Sequence, residues 1–415
     1  MPRLLLIAYY FPPWGMGGVQ RVAKFARYLP EFGWDVTVIA PEATGYIRQD
    51  PSLLDELPAS VRIERIPVRD RAGAMAPEQG VIRRLGAALS RWRDLPDRHK
   101  GFARLAVTRA RQLMADNPFD VVLTSSPPPS IHLAGLALRD RAVWIADFRD
   151  PWRVRPDDYG PTLVHRLRNS GLHHRVLTSA DAVVAVTPEL AAHFQSLAPN
   201  AVVHSIRNGF DEADFDGLTA PAPRAQTTAL FPGTFSRLSD PRPALRALAV
   251  WRKQNPSQSL RIVHTGATLD VSLATTLAET GLADIYDDRG YLDHRRAVAA
   301  LLAADLLVIA HTDPDAAAVS VPGRIYEMLR AGRPILALAF ADSALANLLR
   351  DQPACAVVAP HDRAAAVAAI ERLLAGPRQP LRAPEALAPL ARRNQTGRLS
   401  DLARQRLSAR KGGGR

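Results

Sequence analysis

Leu4-Leu5-Leu6-Ile7-Ala8-Tyr9-Tyr10-Phe11-Pro12-Pro13-Trp14-Gly15-Met16-Gly17-Gly18-Val19-Gln20-Arg21 changes period twice. A short apolar run of strand length gives way to a loop of Pro and Gly. Val19, Val22, Ala26 and Leu29 then recur at spacings of three and four, an apolar helical stripe that ends near Gly33 before a second strand, Val36 to Ala40. Strand, glycine loop, helix and strand is the opening unit of a parallel sheet crossed by helices. The small residues of the loop let backbone N–H groups approach an anion, and the positive end of the helix adds to the attraction. A dinucleotide fingerprint would need a third glycine where Gln20 stands and a tight turn without Pro12-Pro13, so a nicotinamide enzyme is disfavoured. An ordinary strand-to-helix loop remains the plain alternative.

The alternation continues outward from this stretch. Strands are expected at Val61 to Ile66, Val121 to Thr124, Val143 to Ala146, Val183 to Val186 and Val202 to Ile206. The pattern breaks at Asn208-Gly209-Phe210-Asp211 and at Gly217 to Gln226, which is rich in Pro, Ala and Thr and has no period. It restarts with Ala229 to Phe231, a helix from Pro241 to Trp251, Leu260 to His264, Leu306 to Ile309, a helix around Ile325 to Arg330, Ile335 to Ala339 and Ala356 to Val358. This reading gives an α/β chain with an N-terminal Rossmann-like domain over 1–212, a linker over 213–226 and a C-terminal Rossmann-like domain over 227–383. The segment 384–415 is expected to form an Arg-rich helix crossing back to the first domain, with a frayed Gly-rich end. Asn208 and Gly209 are the expected hinge.

At 415 residues, 47% of them apolar, the chain suits two domains. Its one cysteine, Cys355, excludes an internal disulfide and a Cys-based metal cluster, and fits a reducing cytoplasmic setting. No secretory signal order and no bilayer-length apolar run is present in the sequence. The net charge of +12 is divided evenly, with 26 basic and 20 acidic residues in 1–200 and 27 and 21 in the rest, so no nucleic-acid-binding half stands out. The sharper feature runs from Arg83 to Arg111, where nine basic residues face only Asp94 and Asp97, interleaved with Leu85, Leu89, Trp92, Phe102 and Leu105. Such a segment suits peripheral binding to an anionic membrane at its inner face. Packed helices with solvated arginines fit it equally well.

Two further stretches carry chemistry. Gly233-Thr234-Phe235-Ser236-Arg237 follows a strand, and Arg242 lies just inside the next helix; two guanidiniums there can clamp a diphosphate. Ser320-Val321-Pro322-Gly323-Arg324-Ile325-Tyr326-Glu327 is a polar turn opening a helix, with Glu327 able to accept the hydroxyls of a ribose. Taken singly, each of these residues reads as a surface group.

Taken in order, the stretches resemble the retaining glycosyltransferases of family 4, of the two-domain GT-B type. The resemblance runs through Tyr10-Phe11-Pro12-Pro13 to Gly17-Gly18-Val19-Gln20-Arg21, Thr124-Ser125-Ser126-Pro127-Pro128-Pro129, Ala146-Asp147-Phe148-Arg149-Asp150-Pro151-Trp152, Ile206-Arg207-Asn208-Gly209-Phe210-Asp211, Gly290-Tyr291-Leu292 and Pro322-Gly323-Arg324-Ile325-Tyr326-Glu327. It implies two Rossmann-like parallel-sheet domains facing each other across a cleft, and transfer of a sugar from a nucleotide-diphosphate donor to a saccharide or lipid-linked glycan with retention of configuration. Similar sequences build bacterial surface polysaccharides and other glycoconjugates.

Carried over by residue, Gly17 and Gly18 match the family's glycine loop, and Arg237 and Arg242 the pair that neutralises the donor diphosphate. Glu327 matches the glutamate that holds the ribose, with Ser320, Gly323 and Arg324 beside it. Arg149, with Asp150, stands nearest the place of a family histidine, and Asp147 or Asp150 is expected to orient Arg149 or the acceptor. A family glutamate is replaced by Val319, Arg242 stands where lysine is usual, and Arg324 where lysine is common in the subgroup most similar to this sequence. No metal or other cofactor is expected, since the arginines supply the charge. A nucleotide-sugar binder without catalysis and a nucleotide-sugar epimerase remain the alternatives.

Overall fold

The computed structural model describes residues 1–15, 18–42, 49–68, 94–153, 162–222, 225–376 and 384–412. Met16 and Gly17 lie outside the described residues, as do residues 69–93, which include Arg83 to Arg93 of the basic segment.

From Leu4 onward β1 (Arg3–Ala8) is buried at every position, as a central strand covered on both faces must be. It pairs in parallel with β2 (Asp35–Pro41) and with β4 (Val121–Ser126). With β3 (Arg62–Ile66), β5 (Val143–Phe148), β6 (Ala182–Ala185) and β7 (Val203–Ser205) they form one parallel sheet in the order β3-β2-β1-β4-β5-β6-β7. The apolar stripe after the first loop forms the helix Gln20–Tyr28, continued by a 3-10 turn Leu29–Phe32 that Gly33 closes at φ 76°.

The second unit repeats the plan. β8 (Thr227–Pro232), β9 (Leu260–Thr265), β10 (Tyr286–Asp288), β11 (Leu306–Ala310), β12 (Ile335–Leu338) and β13 (Cys355–Val358) lie in the order β10-β9-β8-β11-β12-β13, again all parallel. The strand period of two sorts its core into two layers. Leu307, Ile309, Ile335 and Ala337 face Tyr326, Met328 and Leu329. Leu306, Val308, Leu336 and Leu338 face Leu245, Leu248, Trp251 and Ile370.

The chain divides into Met1–Arg207 with Arg392–Arg415, and Asn208–Ala391. The first boundary therefore falls at Arg207, ahead of the expected linker at 213–226. The reason is local: Asp211 caps a 3-10 turn, Glu212–Phe215, and both Phe210 and Phe215 are buried in the second unit's core. The tail also divides. Residues 384–391 stay with the second unit, where Phe210 bridges Ala391, while the helix Arg392–Gly412 packs in the first. There Leu399, Leu402 and Ala403 join Leu4, Leu6, Val36 and Val121, and the Trp34 indole donates to Ser400 Oγ at 2.9 Å.

Candidate active site

In each sheet the chain leaves a central strand to one side and returns on the other, between β1 and β4 in the first unit and between β8 and β11 in the second. Open parallel α/β sheets bind ligands at such switch points, outside the carboxyl ends of the strands. The loops that leave β8 and β11 are those that carry the candidate donor residues.

The loop after β8 is fastened from below. Gly233 N–H donates to Thr265 O at 2.7 Å and Phe235 N–H to Ala267 O at 2.8 Å. His264 is fully buried, stacks on Phe235 with ring centroids 3.8 Å apart, and meets Gly233 O at 3.0 Å and Asp288 Oδ1 at 3.0 Å. Gly266, at φ 154°, lies so close that a β-carbon there would collide with Gly233 O. Arg237 stands above this base with its side chain 84% exposed and its Nε 3.6 Å from Asp270. Arg242, the first residue of the helix Arg242–Gln254, grips Asp240 with Nε at 2.9 Å from both carboxylate oxygens and Nη2 at 2.5 Å from Oδ2. That hydrogen bond, and then the Asp240 charge, raise the Arg242 pKa. Each arginine of the expected clamp thus has an aspartate partner, Asp240 two residues before Arg242 and Asp270 beyond β9 for Arg237, a feature that the sequence reading did not include.

One imidazole joins the two loops. His311, directly after β11 and buried, has Nδ1 3.4 Å from Leu238 O and Nε2 3.1 Å from Ser320 Oγ. Ser320 Oγ in turn donates to Ala316 O at 2.7 Å. Thr312 reinforces the join, donating its N–H to Leu238 O at 2.9 Å and accepting from Asp240 N–H at 3.2 Å. Ser320 and the Arg237–Arg242 loop are therefore brought to one place through His311, which sequence reasoning missed. Its signal was available: a histidine immediately after an apolar strand, at the strand's carboxyl end.

Glu327 is on the short helix Ile325–Ala331, and Arg324 Nη1 donates to its Oε2 at 2.7 Å, with the carboxylate side chain 7% exposed. A β-carbon at Gly323 would meet open space. Val319, at the end of the helix Pro314–Val319, is half-buried. His294, first residue of the helix His294–Ala303, has Nε2 2.7 Å from Asp214 Oδ2. Burial works to lower the His294 pKa, but the Asp214 hydrogen bond and the Glu327 and Asp214 charges outweigh it, so the pKa is raised. Asp214, His294 and Glu327 each place one ligating atom within 4.8 Å of the others. Each carboxylate is engaged by a cation, Asp214 by His294 at 2.7 Å and Glu327 by Arg324 at 2.7 Å.

In the first unit the loops after β1 and β5 meet. A β-carbon at Gly18 would collide with the Arg149 guanidinium, so the glycine admits the arginine. Arg149 Nη2 is 3.0 Å from Asp150 Oδ2. Tyr10 lies beside this pair: burial raises its pKa, against the opposing charges of Arg149 and Arg98. Asp147, weighed as a partner for Arg149, is instead sealed in the interior. Its carboxylate takes Arg21 Nη2 at 2.6 Å and Ser125 Oγ at 2.6 Å, because it sits inside β5, facing the Gln20–Tyr28 helix, while Arg149 follows the strand's end. Beneath the loop, Trp152 stacks on His173 at 5.0 Å and donates to Asn169 Oδ1 at 2.9 Å. Asn208 and Gly209 are the first residues of the second unit.

Within the basic segment, the described helix Lys100–Asp116 turns Phe102, Ala106, Ala110 and Leu113 inward and leaves Arg104 and Arg111 exposed. Arg109 is tied to Glu64 at 2.8 Å. This part is a packed helix with solvated arginines.

Comparison with known proteins agrees with the fold. Residues 16–209 match the glycosyl transferase 4-like domain. A glycosyltransferase from Rickettsia africae aligns over 98% of this chain and 99% of its own, at 16% identity and TM-score 0.66. Sucrose-phosphate synthase from Thermosynechococcus elongatus aligns over 100% and 98%, at 16% identity and TM-score 0.62. A UDP-forming α,α-trehalose-phosphate synthase from Burkholderia xenovorans, solved with glucose-6-phosphate, aligns over 98% and 100%, at 13% identity and TM-score 0.65. No curated protein sequence matches the chain. No helix among the described residues is long and apolar enough to cross a membrane. Residues 16–209 thus resemble a glycosyl transferase 4-like domain, and the two parallel-sheet units have the GT-B fold of these solved structures.

Proposed function

We propose that this protein is a retaining glycosyltransferase that moves a sugar from a nucleotide-diphosphate donor to a saccharide or lipid-linked glycan acceptor. The observation that carries the reading is the placement of Arg237, Arg242 and Ser320 on the two loops that leave β8 and β11, tied together through His311. Cleaving a sugar–phosphate bond builds negative charge on the departing diphosphate. Guanidiniums already at that position stabilise the charge as it forms, so the barrier falls. In this reading Arg242 exchanges Asp240 for the diphosphate, Arg237 leaves Asp270, and Glu327 accepts from the ribose hydroxyls. Val319 offers the donor sugar no polar group, so the sugar's hydroxyls are held by other groups. Arg149, buttressed by Asp150 and admitted by Gly18, serves the acceptor side, where Tyr10 adds a hydroxyl. The arginines supply the charge that a metal would otherwise bring.

The test is turnover. Nucleotide sugars that raise the melting temperature identify the donor class. With that donor and an acceptor, purified protein releases nucleoside diphosphate, and Arg237→Ala and Glu327→Ala each lose most of the rate while remaining folded. Full turnover in both variants would misplace the donor site. Donor binding with no transfer or hydrolysis across a broad panel would favour a binder without catalysis, a reading that Val319 supports. Peripheral attachment to an anionic surface rests on exposed Arg104 and Arg111. Their neutralisation should reduce sedimentation with anionic liposomes, and equal recovery would remove that idea.

A further inference from the structure

Glu327 stands between two cations on different elements. Arg324 Nη1 holds its Oε2 at 2.7 Å from the same helix. From the helix His294–Ala303, His294 brings a ring nitrogen within 4.8 Å of a Glu327 carboxylate oxygen. The Nε2 of the same imidazole is 2.7 Å from Asp214 Oδ2, on the 3-10 turn Glu212–Phe215, so the two carboxylates lie around one ring. All three side chains are largely buried: Asp214 is 6% exposed, Glu327 7% and His294 13%. In such surroundings a charge is tolerated only when compensated. The Arg324 guanidinium and the His294 imidazolium are the cations that compensate the Glu327 and Asp214 carboxylates. Loss of the imidazole proton removes the charge that compensates Asp214, beside the carboxylate that is to receive the ligand.

We propose that His294, kept protonated by Asp214, is a positioning residue that holds the Glu327 carboxylate in place for the ribose hydroxyls of a nucleoside diphosphate. The inference rests on Glu327 being the ribose carboxylate. His294 itself need not touch the nucleotide. It supplies the second cation that fixes Glu327 while Arg324 occupies one oxygen, so the other oxygen stays aimed at a hydroxyl. Two further groups lie nearby: the Asp211 carboxylate, 2% exposed, within 4.8 Å of Asp214 and accepting from Ala213 N–H, and the self-compensated pair Arg330–Glu212 at 2.8 Å. Elevation of the His294 pKa agrees with the arrangement, since burial alone would lower it.

The experiment is calorimetric titration of the full chain with UDP and dUDP, and with GDP and dGDP, from pH 6 to pH 9. Wild type should prefer the ribonucleotide by roughly ten- to a hundredfold, the range of a hydrogen bond to a charged acceptor. That preference should fall as pH rises through the raised His294 pKa, while deoxynucleotide affinity changes little. His294→Gln should bring the preference close to one at every pH and keep deoxynucleotide binding, which also reports that the variant is folded. Asp214→Asn should move the pH at which the preference falls to a lower value, a shift that a merely structural contact does not produce. If wild type discriminates and both variants keep its preference and its pH profile, the positioning role is overturned. Should His294→Gln not fold, an unmoved profile in Asp214→Asn overturns it alone. Wild type binding both sugars equally would instead remove Glu327 from the ribose, and the inference would fall with that reading.

Discussion

Arg21 and Arg242 grip an aspartate in the same way and in opposite surroundings. Arg21 meets Asp147 at 3.1, 3.0 and 2.6 Å, and Arg242 meets Asp240 at 2.9, 2.9 and 2.5 Å. The first pair is sealed, with side chains 2% and 0% exposed; the second is open, at 40% and 19%. Burial makes the Arg21 pair permanent, because separating it would strand a charge in the interior. Exposure makes the Arg242 pair exchangeable, because water or an incoming anion can replace either partner. The two arginines also follow similar strand-loop-helix stretches. What separates the structural arginine from the one proposed to bind the donor is access to solvent rather than motif.

The largest effect should come from breaking the sealed pair. Asp147→Ala removes the carboxylate that compensates the buried Arg21, and should cost about 3–5 kcal/mol of stability in denaturant unfolding. A loss below about 1 kcal/mol would erase the contrast between the two pairs.

Acid probes the same interior. His132 and His173 are buried neutral, each with its pKa lowered to about 3, chiefly by burial. The unfolded chain protonates them near 6.5 while the folded one does not, so the unfolded state binds more protons between about pH 6.5 and 3. Stability should therefore fall as pH drops through that window, by up to about 1.4 kcal/mol per pH unit and per ring. His132→Phe should shallow the slope measured by unfolding at pH 7, 6 and 5. An unchanged slope would place the acid sensitivity elsewhere.

On the open side the effect should appear in binding instead. Arg242→Ala should weaken nucleoside diphosphate affinity by about ten- to a hundredfold, as expected for a charged hydrogen bond of about 1.5–3 kcal/mol. Its unfolding free energy should change by less than about 1 kcal/mol. The smallest and sharpest change is Asp240→Asn, which keeps an oxygen for the Arg242 N–H while removing the competing charge. Affinity should rise by up to about fivefold, within the range of one exposed ion pair. A fall would mean that Asp240 holds Arg242 ready for the ligand instead of competing with it.

Much of the fold was legible because parallel strands buried on both faces leave unbroken apolar runs. Leu4 to Ala8, Val36 to Ala40 and Leu306 to Ile309 all lie within strands. β10 escaped because Tyr286-Asp287-Asp288 is an edge strand whose carboxylates serve arginines and His264, so it shows no apolar run. The linker was set too late because composition outweighed Phe210 and Phe215, two residues whose burial ties that stretch to the second unit. Motif order nominated Arg237, Arg242, Ser320 and Glu327 for the proposed donor site. Their partners were not legible: Asp270, His311, His294 and Asp214 reach them across gaps in sequence that only the sheet closes. Asp147 and Arg149 are neighbours in one motif, yet one is inside a strand and the other beyond its end, a distinction finer than the reading of strand limits.

A structure of the full chain with UDP or GDP bound tests the central claim most directly. The account predicts a diphosphate outside the carboxyl ends of β8 and β11, with the Arg237 and Arg242 guanidiniums on its oxygens, Asp240 released and the ribose on Glu327. A nucleotide bound elsewhere, with Arg242 still closed on Asp240 and Arg237 turned to solvent, would contradict it.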